Sequence, residues 1–409
     1  MSSLVTPVPA PNYGLERQAI IDLSAIANNI RHLRSIAAPA KLMAVVKADA
    51  YGHGMVQVAR TAVAAGAQWL GTAHVSEALA LRTAGVEVPV LAWLHTPATD
   101  FTAAVAHDID LGCSGWEIEH IAAAARALEH PARVHLKIDT GLGRNGCSRN
   151  DWPALLATAV EYQNQGLLKV VGVFSHLAVA DEPQRPETDE QLERFREAVA
   201  IAEQAGAQLT VRHIANTPAT LSRPDTHFDM VRVGLGIYGL SPFADQTSAQ
   251  LGLVPAMTLQ SQIALCKDVC ANQGVSYGLN YKTTEATTLG LVPLGYADGV
   301  PRIATGGPVR VNGITYPVVG RIAMDQMVID LGSTAREGFG GAAIDGSALG
   351  ATAVLFGNGN DGGPLVEQWA AAAGTINYEI VTRVSQRVPR TYVGGVPVEG
   401  AVISTDGGN

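Results

Sequence analysis

A lysine at the end of a short apolar segment is the first residue whose position suggests chemistry. Lys47 follows the apolar residues 42–46 and precedes a turn with two glycines, within KLMAVVKADAYGHG (residues 41–54). Such a segment is typical of a buried strand that ends in a loop. Partial burial lowers the pKa of a lysine and leaves a nucleophilic amine, which can form a Schiff base with a carbonyl substrate or with pyridoxal phosphate. The simpler alternative is a strand-end lysine that is solvated at the rim.

The segments around Lys47 predict the element that positions it. From about residue 17 to 240, short apolar segments alternate with longer segments of helical periodicity, which is typical of βα units around a parallel sheet. The predicted strands are residues 42–48, 69–73, 88–94, 110–114, 133–139, 170–177, 211–216 and 231–239. Eight such units predict a TIM barrel, a (β/α)8 fold. The alternative is a doubly wound open sheet, which usually carries a Gly-rich fingerprint that is not seen in this sequence.

A TIM barrel places its active site on the loops after the carboxyl ends of its strands. Basic and polar residues occupy these ends in the predicted strands. They are Lys47, Lys137 with Arg144, His176, His213 with Asn216 and Thr217, and Arg232 with Gly234. Each residue alone has a structural explanation, but together they predict a functional site at the barrel mouth.

The sequence pattern changes near residue 245, where helical periodicity fades and Val, Thr, Gly and Pro dominate. Alternating strands with frequent turn signals predict a β domain over residues 246–409, interrupted by one helix at 364–385. The barrel is predicted over residues 17–245. Residues 1–16 are expected to add a strand to the β domain, and residues 332–350 to form a surface loop.

Composition limits the class of protein. The chain has 409 residues, of which 47% are hydrophobic and 16% charged, and this balance suits a folded α/β enzyme and excludes disorder. The net charge of −9 and the lack of a basic block argue against a nucleic-acid partner. The sequence contains no signal-peptide pattern and no apolar run of membrane-spanning length. We therefore expect a soluble, cytoplasmic protein without a membrane partner.

Nine segments, in order along nearly the whole chain, resemble the alanine racemase family, whose members are barrel-type enzymes that depend on pyridoxal phosphate. The segments are AVVKADAYGHG (44–54), LKIDTGLGRNG (136–146), FSHLA (174–178), HIANTPAT (213–220), MVRVGLGIYGL (230–240), GVSYG (274–278), PLGYADG (293–299), GRIAMDQ (320–326) and TINYEI (375–380). The resemblance implies the fold, the cofactor and the roles of the residues described next.

The resemblance implies two bases. Lys47 would carry pyridoxal phosphate covalently and, once freed by substrate, move the α-proton on one face. Tyr277 would be the base on the opposite face and would reach the cofactor of the partner subunit. The pKa of a free phenol lies near 10, so nearby cations must lower it, and His176 and Arg232 are the candidates. Without the resemblance, Tyr277 would be interpreted as a packed or capping tyrosine.

Arg232 is implied to face the pyridine nitrogen of the cofactor. Arginine can only donate hydrogen bonds, so this nitrogen would stay unprotonated. The weaker electron sink that results suits return of a proton better than decarboxylation or transamination. The alternative is a strand-end arginine in an ion pair.

The remaining cofactor contacts are also implied by the resemblance. The residues that match phosphate contacts are Tyr51, Thr217, Gly234, Leu235 and Tyr378. Thr217 stands where serine is expected, and it keeps the hydroxyl. His176 would stack on the cofactor ring, while His213 and Asn216 would be either supporting residues or hydrogen-bonded strand-end groups.

Substrate recognition is implied at two places. Arg144 would bind the phenolic oxygen of the cofactor and the substrate carboxylate. Lys137 would carry a carbamate that orients Arg144, or a bound anion such as chloride would replace it, because two adjacent cations repel. In the second domain, Met324 and Asp325 would offer a backbone N–H to the carboxylate. Tyr296 and Tyr378 would narrow the entrance and favour a small side chain.

The predicted function is therefore interconversion of L-alanine and D-alanine, which supplies D-alanine for peptidoglycan, by a homodimer with shared active sites. One alternative is a family member with another substrate, such as serine or lysine, or with broad specificity. A second is a decarboxylase of the ornithine type, against which Arg232 argues. A third is a cofactor-binding homeostasis protein, which would lack the second domain.

Overall fold

The computed structural model describes residues 16–332 and 348–395. The chain divides into two compact units. The barrel unit contains Ile21–Ala256 and the described residues from Tyr392 onward. The second unit contains residues 16–20 and the described part of Met257–Thr391.

Strand β1 (Arg17–Asp22) leads into the barrel unit, whose strands and helices then alternate. The barrel strands are β2 (Lys41–Val45), β3 (Trp69–Thr72), β4 (Val90–Ala92), β5 (Ile109–Cys113), β6 (Ala132–Lys137), β7 (Leu168–Phe174), β8 (Val211–His213) and β9 (Met230–Val233). The helices are α1 (Leu23–Ala37), α2 (Lys47–Tyr51), α3 (Met55–Ala64), α4 (Val75–Thr83), α5 (Phe101–Ala106), α6 (Glu117–Leu128), α7 (Trp152–Asn164), α8 (Glu187–Gln204) and α9 (Thr217–Ser222).

The eight barrel strands form one parallel sheet in the order β8-β7-β6-β5-β4-β3-β2-β9. Two hydrogen bonds link the segments of the two end strands, β8 and β9. They run from Asp229 N to Arg212 O at 3.2 Å and from Arg232 N to Ala215 O at 3.0 Å. The sheet therefore nearly closes on itself. The TIM barrel expected from the sequence is confirmed, and each of the eight predicted strands overlaps an observed one.

The interior of the barrel combines an apolar cluster with one polar row. The apolar cluster consists of Met43, Trp69, Leu91, Val171, Val211 and Met230. Nearly continuous apolar strands are expected when both faces of a parallel sheet are covered. Strand β6 departs from this pattern, because Arg133, His135 and Lys137 alternate with apolar residues and share one face of the strand. Polar groups thus extend along β6, and the buried residues Asp110, His213 and Arg232 add polar groups from β5, β8 and β9.

The second unit is built mainly from strands, as the sequence predicts. They are β10 (Met257–Gln262), β11 (Leu265–Val269), β12 (Gly274–Val275), β13 (Tyr281–Lys282), β14 (Thr287–Val292), β15 (Pro308–Val311), β16 (Ile314–Val319), β17 (Met327–Asp330), β18 (Thr352–Phe356) and β19 (Arg390–Val393). A nine-stranded sheet has the order β11-β14-β17-β16-β15-β18-β10-β1-β19, and β12 pairs with β13.

The structure corrects one helix of the second unit. The single helix expected at 364–385 is two helices, α10 (Val366–Ala373) and α11 (Asn377–Arg383). Gly374 ends α10 with φ of +65°, a left-handed conformation that glycine adopts at little cost and that stops a helix. We expected residues 1–16 to add a strand to the β domain and residues 332–350 to form a surface loop. Both segments lie largely outside the described residues.

Two further properties bear on the sequence-based expectations. All four cysteines are free thiols. Among the described residues, no helix is both long and apolar enough to cross a bilayer.

Candidate active site

Lys47 lies where strand β2 gives way to a short left-handed turn. Residues Ala48 to Tyr51 have φ between +51° and +54°, a conformation that costs non-glycine residues about 1–2 kcal/mol each. Two side-chain hydrogen bonds hold the turn: Ala48 N donates to Glu77 Oε1 at 2.7 Å, and Met55 N donates to Asp49 Oδ1 at 2.7 Å. Such strain is typical of functional sites.

The amine of Lys47 is tuned towards its neutral form. Burial lowers the pKa of Lys47, the positive charge of Arg144 lowers it further, and Glu77 partly opposes this. Its Nζ lies 5.9 Å from the ring centroid of Trp93. A larger neutral fraction makes this amine a better nucleophile and a better base than a surface lysine.

Arg232 is a buried cation bound by neutral groups. Its guanidinium donates to the carbonyl oxygens of His213 at 2.8 Å and Ser175 at 2.6 Å, and it contacts the Nδ1 atoms of His213 at 3.0 Å and His176 at 3.3 Å. Burial lowers the pKa of Arg232 to about 9, so it stays protonated at neutral pH. Within the described part of the chain it forms no ion pair. A buried cation without a carboxylate beside it is unusual, because desolvation of an unpaired charge is costly.

The two histidines beside Arg232 are neutral. Burial, then the charges of Arg232 and Arg144, hold the pKa of His176 well below its usual range. Burial and Arg232 do the same for the pKa of His213. His176 is therefore uncharged at neutral pH and does not supply one of the cations expected to lower the pKa of a catalytic phenol.

A small cradle lies between the loops after β8 and β9. A Cβ atom added to Gly234 would lie only 2.4 Å from the hydroxyl of Tyr51, so only glycine leaves this space open. The Thr217 hydroxyl accepts hydrogen bonds from Gly234 N at 3.2 Å and Gly236 N at 3.3 Å. The cradle thus brings together Tyr51, Thr217, Gly234 and, by chain continuity, Leu235.

Asn216 has a clear structural role. Its Oδ1 accepts from Ala219 N at 3.2 Å and caps the N-terminus of α9. A direct contact between Asn216 and a cofactor stays a prediction.

Lys137 and Arg144 occupy the loop region after β6. Lys137 is buried, its Nζ donates to Asn145 Oδ1, and burial together with the charges of Arg232 and Arg144 lowers its pKa to about 7. Arg144 is exposed and forms no ion pair among the described residues. The charge of Arg144 acts on Lys47, Lys137 and His176, and that of Arg232 acts on Lys137 and His176. We call these five residues the barrel-mouth cluster.

The second unit carries the other predicted site residues. Tyr277 is 69% exposed and follows Ser276, which has φ of +58°. A cavity of about 250 Å³ is lined by Ser276, Tyr277, Leu291, Ala323, Gln326, Met327 and Val328. The phenol thus stands at the wall of an open cavity.

Tyr296 and Met324 lie on two loops that are hydrogen-bonded to each other. Tyr296 N donates to Ala323 O at 3.0 Å, and Ala297 N donates to Met324 O at 2.9 Å. Met324 is 53% exposed, and in the described part of the chain its own N–H has no acceptor. Such an exposed donor suits a carboxylate. We call Tyr277, Tyr296 and Met324 the exposed group.

Asp325 and Tyr378 complete the predicted set. Asp325 accepts from Arg387 Nη2 at 2.8 Å. Tyr378 is half-buried in α11.

Sequence reasoning missed several residues that shape the barrel mouth. Glu77 holds the left-handed turn, Trp93 lies near the Lys47 amine, and Phe174 lies 5.6 Å from the Arg232 guanidinium. His135 and Asp110 extend the hydrogen bonds of His213 into the barrel. The one available signal was the alternation of polar residues along β6.

Comparison with known proteins decides the family. The model of the alanine racemase N-terminal domain matches residues 21–242, and that of the alanine racemase C-terminal domain matches residues 256–392. The chain belongs to the alanine racemase family. The family's curated members include the alanine racemase of Streptomyces coelicolor, 54% identical over 387 residues, which cover 93% of this chain and 96% of that protein. The alanine racemase of Beutenbergia cavernae is 51% identical over 380 residues, 92% of this chain and 98% of that protein.

Solved structures from the family agree with this fold. The alanine racemase of Streptomyces lavendulae has a TM-score of 0.90 at 51% identity and covers 94% of this chain and 99% of its own. The Bacillus anthracis alanine racemase with bound L-Ala-P has a TM-score of 0.82 at 33% identity, with 94% of this chain and 96% of its own covered.

Proposed function

We propose that this chain interconverts L-alanine and D-alanine with pyridoxal phosphate and a two-base mechanism, and so supplies D-alanine for peptidoglycan. The observation that carries the proposal is family membership across both domains, with a curated alanine racemase 54% identical over 93% of the chain. The barrel-mouth cluster supports it, because it combines an amine with a lowered pKa and a buried arginine that forms no ion pair among the described residues.

The residues at the barrel mouth fit pyridoxal phosphate. The cradle of Tyr51, Thr217, Gly234 and Leu235 offers hydroxyls and backbone next to a glycine that leaves space, which are groups that bind phosphate. The Lys47 amine would hold the cofactor covalently. Arg232 would donate a hydrogen bond to the unprotonated ring nitrogen, which is an uncharged acceptor. When bound, the cofactor would supply an electron-withdrawing ring that stabilises the negative charge left on Cα after proton loss.

Lys47 would take or return the α-proton on one face of the substrate. Its lowered pKa keeps part of the amine neutral at working pH, which a base requires. His176, half-buried and neutral, would pack beside the bound ring without adding a charge. Arg144, exposed and without an ion pair among the described residues, is available for the substrate carboxylate.

Tyr277 would move the proton on the opposite face, and it would do so in the site of the partner subunit. The support is the family resemblance together with its 69% exposure beside an open cavity. A homodimer with shared sites follows, in which Tyr296, Met324, Asp325 and Tyr378 of one protomer approach the substrate of the other. The cytoplasmic location expected from the sequence stays a prediction.

Arg232 also separates the racemase from a decarboxylase. A carboxylate facing the ring nitrogen would keep that nitrogen protonated and strengthen the ring as an electron sink. The described residues around the Arg232 guanidinium are two neutral imidazoles and carbonyl oxygens instead. This environment favours return of the proton.

The direct experiment incubates purified full-length protein and pyridoxal phosphate with each L-amino acid and measures the D-enantiomer by chiral chromatography. We expect D-alanine to form fastest, and L-alanine to form from D-alanine. Faster racemisation of serine or lysine would assign a different substrate. Formation of an amine and CO₂ in place of the D-enantiomer would contradict the proposal.

A further inference from the structure

A continuous chain of hydrogen bonds crosses the barrel interior from Arg232 to Asp110. Arg232 Nη1 lies 3.0 Å from His213 Nδ1, and His213 Nε2 lies 2.9 Å from His135 Nδ1. His135 Nε2 lies 3.1 Å from Asp110 Oδ2. Asp110, His135 and His213 have no solvent-exposed surface, and Arg232 is 6% exposed. We call these four residues the Arg232–Asp110 chain.

Hydrogen-bond chemistry fixes the direction of every link. Arginine can only donate, so His213 Nδ1 accepts and the single proton of this neutral ring lies on Nε2. His213 Nε2 then donates to His135 Nδ1, and His135 Nε2 donates to the Asp110 carboxylate. All three bonds therefore point from the guanidinium towards the carboxylate.

The carboxylate end is firmly anchored. Burial alone would raise the pKa of Asp110, but the hydrogen bonds from His135 and Arg133, together with the charge of Arg133, lower it to about 2. Arg133 Nε lies 2.5 Å from Asp110 Oδ1, and Trp69 Nε1 donates to Asp110 Oδ2 at 3.1 Å. Asp110 is therefore a permanent, immobile negative charge.

A glycine opens the path between the two histidines. His135 lies on β6 and His213 on β8, with β7 between them. Gly172 of β7 pairs with His135, and a Cβ added to Gly172 would lie 2.9 Å from His135 Nδ1. Phe174, two residues further along β7, stacks on the His213 ring at 5.0 Å with an interplanar angle of 3°. Because Gly172 has no side chain and the Phe174 ring lies flat against His213, the two imidazoles can come into contact across β7.

We propose that Asp110, His135 and His213 are positioning residues that fix the orientation of the Arg232 guanidinium at the barrel mouth. This inference rests on the proposed function, in which Arg232 faces the ring nitrogen of pyridoxal phosphate. Because Asp110 is anchored by Arg133, the aligned hydrogen bonds hold both imidazoles in place and keep the accepting Nδ1 of His213 turned towards the guanidinium. Arg232 would then donate a hydrogen bond in a fixed direction without transferring its proton.

The variants separate the hydrogen bonds from packing. In His135→Gln, the amide oxygen can accept from His213 and the amide nitrogen can donate to Asp110. In His135→Leu, a side chain of similar size can do neither. Trp69→Phe removes another donor to the same Asp110 oxygen but leaves the chain intact. Asp110→Asn removes the charge and replaces one accepting oxygen with an NH2 group, which can only donate. Thermal unfolding of each variant confirms that it is folded before comparison.

The first measurement is NMR of the imidazole N–H groups in the full-length protein after removal of the cofactor. We expect His135 and His213 each to carry a single, slowly exchanging proton on Nε2. The His213 proton should exchange rapidly in His135→Leu and be protected again in His135→Gln. A proton on Nδ1 of either ring, or equal exchange in the two variants, would overturn the proposal whether or not the protein racemises alanine.

The second measurement is alanine racemisation by the loaded enzyme. Partners that orient metal-ligating histidines typically contribute about tenfold to a hundredfold. By analogy, we expect His135→Leu and Asp110→Asn to lower kcat by about that range, with a smaller change in KM. His135→Gln should recover kcat to within about threefold of wild type, and Trp69→Phe should stay within the same limit. Equal losses of kcat in His135→Gln and His135→Leu would show that His135 acts by packing and not by hydrogen bonding, which would overturn the proposal. A wild-type protein without racemase activity would refute only the proposed function.

Discussion

The two units present their candidate site residues in opposite ways. In the barrel-mouth cluster, Lys137 and Arg232 are buried, and burial lowers the pKa of both. In the exposed group, Tyr277 is 69% and Met324 53% exposed. Preorganised charges act most strongly where water is excluded, whereas an exposed phenol is surrounded by water. Under the proposed function, the barrel unit would supply most of the cofactor contacts, whereas the exposed group would act only when it meets the partner subunit.

Replacing Lys47 with alanine should have the largest effect, because it removes both the covalent attachment and one base. We expect the visible absorbance of the attached cofactor to disappear and kcat to fall by about 10⁴-fold. Absorption spectra and chiral chromatography measure the two effects. Lys169→Ala, at an exposed position on β7, is the matched control and should change neither. Retention of the absorbance in Lys47→Ala would assign the attachment to another amine.

Tyr277→Phe tests the other side of the comparison. Loss of the hydroxyl should lower kcat by about 10²-fold to 10³-fold, the range of general acid–base catalysis, with little change in the cofactor Kd. Kinetics in both directions and a cofactor titration separate these effects. Tyr316→Phe, on β16 of the same unit, should behave as wild type. Full activity of Tyr277→Phe in both directions would show that the second base is a different group.

Gly234→Ala probes the cradle without changing any charge. An added Cβ would lie 2.4 Å from the Tyr51 hydroxyl, so we expect the substitution to displace this hydroxyl. Overpacking of this kind costs about 1–3 kcal/mol, and the Kd of pyridoxal phosphate should rise by about tenfold or more. Gly115→Ala, where a Cβ meets no atom within 4 Å, is the control. An unchanged Kd would remove Gly234 from the phosphate site.

Lys137 should react with CO₂ at a lower pH than an ordinary lysine. Its pKa of about 7 means that the neutral, reactive amine increases as the pH rises through 7, whereas a free lysine requires a pH near 10. With ¹³C-labelled bicarbonate at neutral pH, we expect one carbamate signal in the ¹³C NMR spectrum. The signal should be lost in Lys137→Ala and kept in Lys169→Ala. No signal in the wild type would favour a bound anion, and addition of chloride should then raise activity.

The sequence was informative where periodicity alone determines structure. All eight barrel strands were predicted because apolar segments and helical segments alternate regularly along residues 17–240. Strand β18 and the break at Gly374 were missed, since a short strand after a long loop and a single glycine in a helical pattern give weak local signals.

The position of Lys47 could be predicted, but its surroundings could not. The left-handed turn at Ala48–Tyr51 depends on Glu77, which is 29 residues from Ala48 in sequence and adjacent to it only when β2 and β3 pair. The link between His135 and His213 likewise depends on Gly172 lying between them on β7. Contacts between segments that are distant in sequence produce no local pattern in a single sequence. The alternation of polar residues on β6 indicated His135 but not the residues that it contacts.

The central claim is that each active site combines the amine of Lys47 with the phenol of Tyr277 from the partner subunit. Mixing the two inactive variants Lys47→Ala and Tyr277→Phe under conditions that exchange subunits tests it directly. Each mixed dimer would then contain one site with both groups intact, and random pairing should restore about a quarter of wild-type activity. If both groups came from the same chain, every site in the mixture would lack one of them, and activity would remain at the level of the separate variants.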